Sequence, residues 1–104
     1  MKEEMMKKLE TIEKAATEYA KEIENCQNGI KRIAEGSKYS TDAYLTDIKR
    51  YTKDIEAYRE YLYRLELKIT TIEELAYELK NKADIQEVED RAYAIRGTFY
   101  RYTH

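Results

Sequence analysis

Proline is missing from all 104 residues and glycine occurs only three times, so the chain has few of the residues that turn a backbone sharply or break a helix. A turn-rich β architecture is therefore not expected. Tryptophan is absent too, and a single phenylalanine stands beside 11 tyrosines, so aromatic packing must be built from rings that carry a hydroxyl. The lone Cys26 cannot close an internal disulfide, and the lone His104 occupies the last position, where a general base is poorly held. No apolar stretch approaches the roughly 20 residues of a membrane span or the core of a signal peptide. An unprocessed cytoplasmic protein with no membrane attachment is the expectation. Nor does one charge dominate: 19 basic against 21 acidic side chains create no general field for nucleic acid or anionic lipid.

What the chain has in quantity is 38% charged and 42% hydrophobic residues, the proportions of long helices. Apolar side chains recur three and four apart at Met5, Leu9, Ile12, Ala16, Tyr19, Ile23, Cys26, Ile30 and Ile33, a spacing that keeps one helix face dry. This predicts a first helix over about residues 2–35, ended by Gly36 in the left-handed conformation and followed by a turn from Ser37 to Ser40. Ser40 or Thr41 then caps a second helix, with Asp42 well placed in its positive first turn. The rhythm resumes through Tyr44, Ile48, Tyr51, Ile55, Tyr58, Leu62, Leu65, Ile69, Ile72, Ala76 and Leu79. A helix over residues 41–80 follows, about 60 Å long at the usual rise.

Past Leu79 the same phase would demand Ala83, Gln86 and Asp90, whereas the apolar residues fall at Ile85, Val88, Ala92, Ile95, Phe99 and Tyr102. The slip predicts a break. Asn81 is expected to end the second helix, and Asp84 with Glu87 to form a reciprocal capping box for a third over about 85–102. The fold class is thus all-α in a single domain: an antiparallel, coiled-coil-like hairpin completed at one end by a shorter third helix. In the expected register Ile30 faces Tyr44, Ile23 faces Tyr51, Ala16 faces Tyr58 and Leu9 faces Leu65. Tyr61 and Leu75 widen the dry face of the second helix where the third should dock. The tyrosine-rich remainder is covered by the first helix alone, or by the same section of a second chain in a dimer with a four-helix waist.

Chemistry-bearing constellations are absent from the pattern. Cys26 lies on the dry stripe, where burial raises a thiol's pKa and mutes it, so it reads as an apolar filler. Glu10 with Lys14 and Glu60 with Arg64 are spaced as surface ion pairs. A di-metal carboxylate bundle needs Glu-x-x-His motifs that the single His104 cannot supply, and Gly29, Gly36 and Gly97 match no phosphate-binding fingerprint. No metal, cofactor or enzymatic activity is expected.

Two groups of side chains fall outside the core stripes. Tyr63, Leu67 and Tyr77 lie on the far face of the second helix, and on the third Tyr93 and Tyr100 stand two turns apart with Gly97 between them and Arg96 and Arg101 alongside. Aromatic and arginine side chains together are typical of protein interfaces. The expected function is a non-enzymatic module that presents a rigid helical surface to a partner protein. An inhibitor of a host or defence enzyme, encoded by a phage or mobile element, is its finer form. The alternative is sequestration of a small ligand or nucleotide at a Tyr/Arg-lined oligomer interface. Extended nucleic-acid binding is disfavoured, because Arg91, Arg96 and Arg101 recur every five residues and so spread around the helix.

Overall fold

A computed structural model describes residues 1–36 and 41–103, except the side chains of 41–43. The expected turn at Ser37 to Ser40, the cap by Ser40 or Thr41 with Asp42 beside it, and His104 lie outside the described residues. The described residues form three helices, α1 (Lys2–Glu35), α2 (Thr41–Ala76) and α3 (Lys82–Thr103), packed against one another as an all-α three-helix bundle. Its dimensions are 63 × 19 × 17 Å with a radius of gyration of 18.2 Å, well above the roughly 13 Å of a compact chain of this length.

The heptad stripes are what brings the helices together. Leu9, Ala16 and Ile23 of α1, Leu62, Ile69 and Ala76 of α2, and Val88, Ala92 and Ile95 of α3 are fully buried. Tyr51 lies against Gly29 and Tyr61 against Tyr19, ten residues apart on each helix in opposite order, so α1 and α2 are antiparallel. Lys2 meets Asp84 and Glu87, Glu13 meets Arg91, and Glu24 meets Tyr102, so α3 runs parallel to α1. Beyond the Glu24–Tyr102 contact the molecule continues as a two-helix arm, in which Tyr44, Ile48 and Tyr51 stay half-buried.

The register differs from the expected one by six residues along α1, since Tyr51 faces Gly29 and not Ile23. A Cβ at Gly29 would lie 2.7 Å from the Tyr51 ring, so only a residue without a side chain lets the phenol come this close. Tyr58 likewise meets Tyr19, at 6.0 Å between ring centroids, and not Ala16.

Helix ends also depart from expectation in ways the chain explains. Gly36 has φ −94° and ψ 88°, and its N–H donates to the Arg32 carbonyl. That ψ swings the chain out of the helix, so no left-handed residue is needed. α2 ends at Ala76, four residues early, because the N–H groups of Tyr77, Glu78 and Leu79 donate three residues back, to Glu74, Leu75 and Ala76. The tightened turn leaves Asn81 free to cap α3: its Oδ1 accepts from the Ala83 N–H at 2.8 Å. The Asp84–Glu87 box is replaced by contacts of both carboxylates with Lys2 Nζ, at 3.4 and 2.9 Å.

Tyr61 and Leu75 do not receive α3. Tyr61 leans on Tyr19 at 5.2 Å, and Leu75 lines a groove with Lys8 and Ile12, so both serve the α1/α2 seam.

Candidate protein-binding face

Tyr63, Glu66, Thr70 and Glu73 follow one another at intervals of three and four on α2, with Tyr77 one residue past its end, and Glu89, Tyr93, Arg96 and Tyr100 do so on α3. Each set therefore shares one helix face. The two faces adjoin along the outer α2/α3 seam, where Arg96 is the tie. Its guanidinium lies 2.7 Å from Glu73 Oε1 and 3.9 Å from Glu66 Oε1, and it donates to Thr70 Oγ1 at 3.0 Å. At the end of the seam near the α2/α3 connection the Tyr77 phenol meets Glu89, whose charge first and hydrogen bond second push its pKa up.

The aromatic residues expected outside the core are there. Tyr63, Leu67, Tyr77, Tyr93 and Tyr100 are all exposed, Tyr93 to 81%. Tyr93, Arg96, Gly97, Tyr100 and Arg101 together line a groove of about 510 Å³ on α3, while Tyr63 and Leu67 belong to α2 and Tyr77, expected on that helix, lies in the turn just past its end. Arg96, expected to offer its charge outward, is instead turned to the two glutamates. Arg101 lies over the Tyr102 ring at 4.8 Å and donates to its hydroxyl at 2.7 Å, and that hydroxyl donates to Glu24. Sequence reasoning overlooked Glu66, Thr70 and Glu73. Their three-four spacing beside a basic residue on the next helix was the signal that could have found them.

Elsewhere the reactive groups are subdued. Burial pushes the Cys26 thiol up, and the carboxylates of Asp54 and Glu22 add to it, so the nucleophilic thiolate is disfavoured. Burial likewise raises the Tyr58 phenol, reinforced by Glu22 and Asp54. Glu10–Lys14 and Glu60–Arg64 form the surface pairs their spacing predicted. Among the described residues no group of three or more His, Cys, Asp or Glu is arranged to hold a metal ion, and no helix is long and apolar enough to cross a membrane. The chemistry this face offers is thus burial of aromatic surface and hydrogen bonding by phenols.

Comparison with protein-family models, with curated proteins and with solved structures finds no match for this chain.

Proposed function

We propose that this chain is a non-enzymatic protein-binding module that docks a partner protein on the outer α2/α3 face. The observation that carries this reading is the exposure of Tyr63, Leu67, Tyr93 and Tyr100 on two helices tied together by Arg96, with Tyr77 exposed just past the end of α2. Burying one such side chain contributes about 1.5–3 kcal/mol, whereas association costs roughly 4–15 kcal/mol. One exposed ring would not hold a partner, but several on a preformed surface would. Inhibition of a host or defence enzyme by occupying its surface is the finer form of this proposal, supported by the exposure of these rings on a preformed helical face.

Replacing Tyr63, Tyr77, Tyr93 and Tyr100 together by serine tests the proposal. Affinity capture from the native host, or from infected cells for a viral gene, should recover a partner with the unaltered chain and lose it with the variant, while circular dichroism and melting stay unchanged. Equal recovery by both would refute the assignment of this face. Nucleotide sequestration is less well supported, because Glu66 and Glu73 already answer the Arg96 charge in the groove that a phosphate would enter. Calorimetric titration with mono-, di- and cyclic nucleotides should give no heat.

A further inference from the structure

Most charged side chains of α3 find an opposite charge or a hydroxyl within the chain. Asp84 and Glu87 meet Lys2, Arg91 meets Glu13, Arg96 meets Glu66 and Glu73, and Glu89 meets the Tyr77 phenol. Asp90 and Arg101 have no ion pair among the described residues. Asp90 is exposed, and Arg101 starts from the outer side of α3 but lays its guanidinium over Tyr102 at the edge of the α1/α3 seam, beside Glu24 and Gln27. Asp90 accepts from the Gln86 amide, and Arg101 rests on its neighbour Tyr102.

Gly97 sits between them and is equally unexplained from within. Glycine inside an exposed helix weakens it relative to alanine. At Gly97 no positive φ requires a glycine, and a Cβ there would meet nothing within 4 Å. The missing side chain leaves a notch on the outer surface, and Tyr93, at 81% the most exposed ring among the described residues, stands one turn away.

We infer that this face docks a second copy of the chain, α3 against α3 in opposite directions, with each Tyr93 ring seated in the other copy's Gly97 notch. Along the helix the order is acid, ring, notch, base: Asp90, Tyr93, Gly97, Arg101. Read in reverse the order is base, notch, ring, acid. A two-fold axis near Ile95 therefore sets ring on notch twice and Asp90 against the other copy's Arg101 twice, the self-complementarity that an isologous interface requires. In an antiparallel helix pair each flank faces the same flank of the other helix, and Asp90 and Arg101 share a flank, so the charges meet. Docking of a second copy needs no other protein. It occupies Tyr93, which the proposed partner face also uses, so the two associations compete at α3, whereas Tyr63 and Leu67 of α2 and Tyr77 just past its end lie outside the dimer contact.

Sedimentation equilibrium of the purified chain, from low micromolar to near-millimolar concentration, tests this directly. The expected result is a reversible equilibrium between the 12.5 kDa chain and a particle of twice that mass. Gly97→Leu fills the notch from a Cβ that meets nothing within 4 Å, so it should keep full helicity while weakening the dimer by ~10-fold or more. Asp90→Arg and Arg101→Glu should each weaken it by roughly 5-fold, and the two together should restore it, because the exchanged charges pair again. A monomer throughout the range would overturn the proposal. So would a dimer indifferent to Gly97→Leu and to the charge reversals, which would place the contact on the two-helix arm. Tyr63→Ser with Tyr77→Ser should leave the dimer intact, so those substitutions report on the hetero-partner face alone.

Discussion

Gly29 and Gly97 both lie inside helices at ordinary backbone angles, and the space around them is opposite. At Gly29 a methyl group would strike the Tyr51 ring at 2.7–3.0 Å, and at Gly97 it would meet nothing within 4 Å. Overpacking costs about 1–3 kcal/mol while alanine returns about 1 kcal/mol of helix propensity. Gly29→Ala is therefore expected to leave the protein unchanged or less stable, by up to about 2 kcal/mol. Gly97→Ala should stabilise the dilute chain by about 0.5–1 kcal/mol. Urea unfolding of the two variants reads the sign, and a clear gain at Gly29 would mean that Tyr51 does not rest there. Cys26 is buried against the arm with its thiol pushed up, so a thiol-specific reagent at mildly alkaline pH should label it far more slowly in the folded chain than in denaturant.

At the scale of the helix, α3 is held by partly buried ties that differ in weight. Arg96 is about a quarter exposed and serves two glutamates and a threonine, whereas Arg64 is mostly exposed and serves Glu60 alone. Arg96→Ala should cost about 1–2 kcal/mol, because it strands two partly shielded carboxylates, and Arg64→Ala less than about 0.5 kcal/mol. Asn81→Ala should cost about 1 kcal/mol as the loss of a cap, and more than Asp84→Ala; the reverse ranking by urea unfolding would restore the cap expected at Asp84. Helix number, order and most buried positions were legible in the sequence, because apolar periodicity reports directly which face is dry, and the phase slip after Leu79 placed the break. The cap was misplaced because Asn81 and Asp84 are both good N-cap residues, and the competing pull of Lys2 on Asp84 comes from a residue more than eighty positions away. The α1/α2 register was missed for a similar reason: heptads fix which face is buried but not how far one helix is displaced along the other. At the candidate site, the exposed rings could be read as leftovers from the dry stripes, but the engagement of Arg96 depended on a neighbouring helix.

Across the whole molecule, three helices cover one end and two the other, so local stability should follow that division. Backbone amides of residues 44–54 are expected to exchange with solvent sooner than those of 62–76 in hydrogen-exchange mass spectrometry. Equal protection would mean that something covers the arm. Lys2, Cys26, Tyr58 and Tyr77 all hold their protons more tightly in the folded state, through hydrogen bonding and charge at Lys2 and Tyr77 and through burial first at Cys26 and Tyr58. Their contributions are complete below the ordinary values of about 8.5 for a thiol, 10 for a phenol and 10.4 for an ammonium, and are lost as pH rises through the raised folded values. The melting temperature should thus fall on the alkaline side of about pH 9, and a rise there would contradict these environments. A hairpin built on uniform heptads is also exposed to slippage, because a shift of seven residues preserves every apolar match. Against that degeneracy the seat of Tyr51 works as a detent. One heptad away the ring would ride over Glu22 on one side or reach Gly36, beyond the end of α1, on the other. A single missing side chain thus selects one alignment among several that the repeat alone would permit.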